Sequence, residues 1–208
     1  MTYCEPARTT TGRIRIRWVR VAGLLLAVAA IAAVVGYQLT ASTASPAHVP
    51  PREHRGALGE AGGAVPDGTT VFDDEIPGVA KLDSELLGAL RQAATDAADE
   101  GVEFNVDSGW RSPEYQAQLL REAVSKYGSE AEAARWVATP DRSAHVSGDA
   151  VDIGPADATP WLSEHGAEYG LCRIYGNEPW HFELRPEAID HGCPPMYADA
   201  TQDPRMQR

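Results

Sequence analysis

Fifteen consecutive uncharged residues, VAGLLLAVAAIAAVV from Val21 to Val35, divide this 208-residue chain into parts that cannot share one core. With Val19 and the stretch Gly36 to Leu39 added, the run is long enough to cross a bilayer with slight tilt. The basic RIRIRWVR stands ahead of it, so residues 1–18 are expected on the cytoplasmic side and everything later on the other. Residues 19–39 therefore read as a transmembrane anchor. A secretory signal cleaved within Thr40 to Ser45 is the alternative, and either outcome leaves the remaining chain outside the cytoplasm. The length of the run and the lack of a clean small-x-small site favour the anchor.

The first twenty residues hold five arginines and one glutamate, so the rest of the chain is more acidic than the formal net charge of −12 suggests. An acidic body excludes nucleic acid as the main partner, because phosphate binding needs a cationic surface. Of three cysteines, Cys4 falls on the cytoplasmic side under this topology. Cys172 and Cys193 fall together outside, where an oxidising compartment makes them a natural disulfide pair. Two free thiols packed as small apolar residues are the plainer alternative.

Residues 40–70 are rich in Ala, Ser, Pro, Gly and charge, with PAHVPPREHR in the middle and GEAGGA near the end, and are expected to form a flexible linker. Residues 71–195 carry the periodic segments of a folded domain. Leu86, Leu87, Leu90, Ala93, Ala94 and Ala97 mark an amphipathic helix over Asp83 to Glu100. Val102, Phe104 and Val106 alternate as in a half-buried strand that ends at Gly109, so Arg111 sits just past a strand end. Ser112, Pro113 and Gly128 supply a cap, a first-turn proline and a stop for a second helix. SEAEAARWVA reads as a further helical piece ending at Pro140, AVDIGP as a strand, TPWLSEHGAEYG as a helix, and CRIY and HFEL as two strands. This order predicts an α+β fold with a small, mostly antiparallel sheet flanked by helices and a cleft at its centre. Residues 196–208 lack periodicity and read as an irregular tail.

Two blocks carry the chemistry. In SAHVSGDAVD, His145 precedes a glycine turn and Asp152 falls in the following apolar strand, so a turn into a strand can bring both side chains to one place. In NEPWHFEL, His181 opens a strand and Glu178 stands three residues earlier in a turn held by Pro179. A catalytic zinc site needs about three such ligands and an open position for water, which a neighbouring carboxylate can deprotonate. Either spacing alone is common in proteins that bind no metal, and His181 alone reads as an ordinary core or surface histidine. Together the two blocks are far more specific. His48 and His54 read as solvated linker residues, and His165 and His191 have no partner at ligand spacing. Trp110 and Trp161 read as core or cleft-wall aromatics, and Trp180 is expected to pack beside His181. Ser108 and Ser112 lack the sequence context of a nucleophilic serine.

SAHVSGDAVD fits the pattern SxHxxGxAxD, EPWH fits ExxH, and SGWRSPEYQ is similar to an SGYRS element ahead of a helix. In these three ordered blocks, spanning Ser108 to Leu184, the chain resembles the zinc D-alanyl-D-alanine carboxypeptidases and dipeptidases that include vancomycin-resistance enzymes. The resemblance implies one zinc ion per chain on His145, Asp152 and His181, with Glu178 as the catalytic base. It implies that Arg111 steadies the substrate and the oxyanion, and that Ser143 and Gln116 hydrogen-bond the terminal D-alanine. An arginine fork also suits a peptide that ends in a carboxylate. The chain departs from the pattern at Asp149, where an apolar residue is usual, and in the short stretch from Asp152 to Glu178, which carries Cys172.

The resulting expectation is a membrane-anchored, extracytoplasmic zinc D,D-carboxypeptidase that removes terminal D-alanine from peptidoglycan stem peptides ending in D-Ala-D-Ala. The alternatives are another peptidoglycan peptidase of the same kind (an L,D-carboxypeptidase, dipeptidase or endopeptidase) and a catalytically silent wall-binding domain.

Overall fold

A computed structural model of the chain describes residues 59–155 and 157–207. The expected cytoplasmic segment 1–18, the anchor 19–39 and the linker up to residue 58 lie outside the described residues. Among the described residues no helix is long and apolar enough to cross a membrane.

Four strands form one sheet in the order β1-β2-β4-β3, with every pairing antiparallel: β1 (Asn105–Ser108), β2 (Ala150–Gly154), β3 (Leu171–Arg173) and β4 (His181–Leu184). The helices are α1 (Pro77–Ala80), α2 (Ser84–Asp99), α3 (Pro113–Tyr127), α4 (Glu130–Ala133), α5 (Ala144–Ser147), α6 (Ala158–His165) and α7 (Ala188–His191). An α+β fold with an antiparallel sheet is what the periodicity predicts. Two helix starts also agree with their caps. The Asp83 carboxylate accepts from the amides of Glu85 and Leu86, and the Ser112 hydroxyl accepts from that of Tyr115. Such caps contribute about 1 kcal/mol each by satisfying amides that have no partner within the helix.

The sheet separates its two faces by the period of two along a strand. Val151 and Ile153 of β2, Phe182 of β4, Leu171 of β3 and Val106 of β1 enter one core with Leu86, Leu90, Ala93, Ala94 and Ala97 of α2. The interleaved residues Asp152, His181 and Glu183 turn to the other face, and all three are buried. Beside them a second apolar cluster holds Cys172, Ile174, Tyr175, Ala188 and Ala200. One thin sheet therefore carries a hydrophobic core on one side and a polar centre on the other.

Three segments depart from the sequence reading. Residues 59–70, assigned to the linker on composition, are packed against the domain: Gly62, Gly63, Ala64 and Thr69 are buried, and Thr70 bridges Asn105. Glycine permits this, since a Cβ on Gly63 would lie 2.2 Å from the Trp110 carbonyl oxygen. The helical piece from Ser129 is a single turn. Beyond it, the carbonyls of Arg135 and Ala138 accept from the side chains of Asn177 and Gln116. The tail is irregular but seated: two short 3-10 turns, Ala200–Gln202 and Pro204–Met206, lie against the domain, with Ala200 and Asp203 buried.

Cys172 and Cys193 form a disulfide across 21 residues of chain and join β3 to the segment after α7. Loop-closure entropy over this length corresponds to about 3 kcal/mol. The Cys172→Ala/Cys193→Ala double variant is expected to lose about that much stability in urea unfolding, and a loss below about 0.5 kcal/mol would contradict a stapling role. A second expectation concerns Gly109, where a Cβ would meet the Gly78 carbonyl oxygen at 2.0 Å and the Gly78 carbonyl carbon at 2.9 Å. Backbone cannot yield as a side chain does, so Gly109→Ala is expected to cost at least about 1–3 kcal/mol in the same assay.

Candidate metal centre

His145, Asp152 and His181 converge on the polar face of the sheet, with one ligand atom from each lying within 4.8 Å of the others. The strand register does most of this work. Asp152 stands directly opposite His181 in the β2–β4 pair and opposite Ser108 in the β1–β2 pair. Cross-strand partners hold their Cβ atoms about 4.5–5.5 Å apart, so the ladder itself sets two donors side by side. Between Val106 and Ser108 the β1 register shifts, consistent with Asp107 as an extra residue that turns Ser108 toward Asp152.

His145 arrives from α5, which ends at Gly148 with φ +88, a left-handed conformation that suits glycine. A Cβ there would also lie 2.6 Å from the Lys81 carbonyl oxygen. The histidine is clasped by the loop after β1: its Nδ1–H donates to the Gly109 carbonyl at 2.8 Å, and the Arg111 amide donates to the His145 carbonyl at 3.0 Å. With Nδ1 engaged, Nε2 faces Oδ1 of Asp152 at 3.4 Å. His181 points Nδ1 at the same oxygen from 3.3 Å and Nε2 at Glu183 from 3.2 Å.

The charges favour a cation at this point. Burial and the neighbouring Arg111 push the His145 imidazole toward its neutral form. Burial alone would raise the Asp152 carboxyl, but His145, His181 and Arg111 outweigh it and hold Asp152 well below the usual carboxylate range. His181 is pushed up to about 9, because its bonds to Asp152 and Glu183 outweigh the cost of burial. Two imidazole nitrogens and one carboxylate oxygen around one point are a fitting donor set for a divalent ion of the zinc type.

Glu178 is buried, with its carboxylate 3.8 Å from Nδ1 of His181. Burial pushes the Glu178 pKa up to about 7, against the lowering effect of His181. Arg111 lies over Asp152 and, among the described residues, spends three of its five N–H donors. These go to Oδ2 of Asp152 at 2.7 Å, the Ser108 hydroxyl at 2.7 Å and the Gln116 amide oxygen at 3.2 Å. Oδ1 of Asp152 is thereby left to the histidines.

Gln116, expected at the substrate, has its amide engaged within the protein. It is 1% exposed, and its amide links Arg111 to the Ala138 carbonyl, so it stands behind the arginine. Ser143 is buried at the start of α5 and makes no capping bond with its side chain. Trp180 is 39% exposed; the rings against His181 are those of Tyr175 and His145, each with its centroid 5.1 Å away. Asp149 is exposed and accepts from the Ser147 hydroxyl, so it brings no charge to the centre. His165 packs on Trp161 away from the cluster, and His191 ends α7 on the surface. Glu183 was not singled out in the sequence, although the alternation in HFEL already puts it on the face of His181.

Residues 79–187 match the family described as VanY, D-alanyl-D-alanine carboxypeptidase. A D-alanyl-D-alanine carboxypeptidase of Enterococcus faecalis (strain ATCC 700802 / V583) is 31% identical over 127 residues, 49% of this chain and 47% of the relative. The chain thus spans about half the length of that curated relative. Among solved structures, a vancomycin-resistance D,D-pentapeptidase in complex with Zn(II) is 30% identical with a TM-score of 0.47, covering 50% of this chain and 72% of that one. The LdcB LD-carboxypeptidase is 26% identical with a TM-score of 0.49, covering 60% of this chain and 69% of that one. The family match covers more than half of the chain and contains the two histidines, the aspartate, Glu178 and Arg111, and on that ground the chain belongs to the VanY family of D-alanyl-D-alanine carboxypeptidases.

Proposed function

We propose that the chain is a zinc-dependent D,D-carboxypeptidase that removes terminal D-alanine from peptidoglycan stem peptides, with one zinc ion on His145, Asp152 and His181. The observation that carries the reading is the buried cluster of three donors with a fourth group, Glu178, beside it. A carboxylate next to the ligands, rather than among them, matches a centre that keeps a position open for water. The family and the D-alanyl-D-alanine carboxypeptidase relative support the substrate class.

When bound, zinc supplies Lewis acidity, lowering the pKa of an adjacent water to about 7 and polarising a carbonyl. The remaining roles fall to the chain. Glu178 takes a proton from the attacking water and returns it to the nitrogen of the departing D-alanine as the peptide C–N bond breaks. Arg111 fixes Asp152 through Oδ2, and its two remaining N–H donors serve the oxyanion or the substrate carboxylate. Gln116 holds Arg111 at that angle from behind, and Ser143 offers a hydroxyl to the terminal residue. The disulfide supports an extracytoplasmic location, and the uncharged run after the N-terminal arginines supports attachment to the membrane there.

The test is zinc content together with D-alanine release from a pentapeptide stem, for wild type and Glu178→Gln. Wild type is expected to hold one zinc and release D-alanine. Glu178→Gln is expected to keep the zinc and lose about 10²–10⁴-fold in kcat. Undiminished turnover in the variant would remove Glu178 as the base. Release from a tetrapeptide stem but not from a pentapeptide would make the enzyme an L,D-carboxypeptidase.

A further inference from the structure

Glu183 is fully buried on β4, two residues beyond His181 and on the same face of the sheet. A carboxylate in that position is tolerated only when charge and hydrogen bonds compensate for lost water. Three side chains do so. His181 donates from Nε2 at 3.2 Å, Arg185 from the following turn, and Arg205 from both terminal nitrogens at 2.7 and 3.1 Å. Arg205 comes from the irregular tail, beyond the residues 79–187 that match the family. Its side chain is 44% exposed, against 1% for that of Glu183, so it reaches inward from the surface.

The arginine is itself fixed. The Asp203 carboxylate, which is buried, accepts from Nε of Arg205 at 2.9 Å and from its backbone amide at 2.9 Å. The hydroxyl of Tyr175 donates to the same carboxylate at 3.0 Å, and the Tyr175 ring lies against His181. The contacts close a circuit from His181 through Glu183, Arg205, Asp203 and Tyr175 back to His181.

We infer that Arg205 is a positioning residue for the metal centre: by fixing Glu183 it sets the ring orientation and the donor nitrogen of His181. The inference rests on the reading of His145, Asp152 and His181 as metal ligands. An imidazole that gives one nitrogen to a metal is oriented by what holds the other, and loss of such a partner typically weakens metal binding 10–100-fold. Arg185 alone leaves Glu183 with one cation and no tie to Asp203 or Tyr175. The carboxylate is then free to swing away from Nε2, and the ring with it. The segment Asp199–Gln207 thereby belongs to the metal centre although it contributes no ligand.

The experiment is a Zn(II) affinity measurement by chelator competition on the full-length chain, with the visible spectrum of the Co(II)-loaded form and the melting temperature of the metal-free form. Arg205→Met is expected to weaken Zn(II) binding about 10–100-fold and change the Co(II) bands. Arg205→Lys is expected to recover part of the affinity, since an ammonium can reach Glu183 but cannot also engage Asp203 as a fork. A lower melting temperature with unchanged Zn(II) affinity and Co(II) spectrum would show a purely structural role and overturn the inference. Should Arg205→Met fail to fold, the near-isosteric Glu183→Gln decides in the same way, and unchanged affinity there overturns it. Wild type that binds no Zn(II) removes the metal reading and this inference with it, whereas tight binding unaffected by Arg205→Met removes the inference alone.

Discussion

The carboxylate of Asp152 is the point to which the rest of the polar face is built. It is buried, and a lone buried carboxylate is among the most costly things a fold can contain. Every element around it answers that cost. The loop after β1 brings Arg111 to one oxygen, α5 brings His145 to the other, and β4 brings His181 to the same atom from the side. Remove the convergent positive charge and the β2 strand would have no reason to keep Asp152 inside. The centre and the sheet are stabilised by the same contacts.

The apolar periodicities and the two short motifs told a consistent story because each reports something local. An amphipathic stretch reports a helix face, as in α2, and a Ser-Pro start reports a helix beginning, as in α3. The spacings in SAHVSGDAVD and NEPWHFEL were legible for the same reason, since each block folds as a local turn into a strand. What composition misread was decided at a distance. The glycine-rich stretch before Thr70 resembles a tether, yet Gly63 serves close approach of backbone to the Trp110–Arg111 loop, which only the tertiary fold reveals. The helix after Ser129 ends at Ala133, and the chain beyond it is tied down by side chains from α3 and from the turn before β4, which bond the Ala138 and Arg135 carbonyls. The tail gave no periodic signal because its place is set by Arg205 and Asp203, two charges whose partners lie far away in sequence.

Tyr175 connects two parts of the molecule that would otherwise read as separate. It belongs to the apolar cluster around the Cys172–Cys193 disulfide and at the same time covers the His181 ring. The cross-link therefore backs the residue that lies against His181. Trp180, next in chain to His181, is instead exposed. Sequence neighbourhood and spatial neighbourhood part company at a strand start, where successive side chains point in opposite directions.

The alternation that places Val151 and Phe182 on one face and Asp152 and His181 on the other makes the strand register an error check. A slip of one residue in β2 against α2 would carry Asp152 into the hydrocarbon packed on Leu86 and Leu90, and would leave Val151 to face the histidine and arginine side chains. Neither face tolerates the exchange, so misregistered chains lose the core and the centre together. A molecule of this fold that has acquired its buried packing has, by the same event, acquired its chemistry.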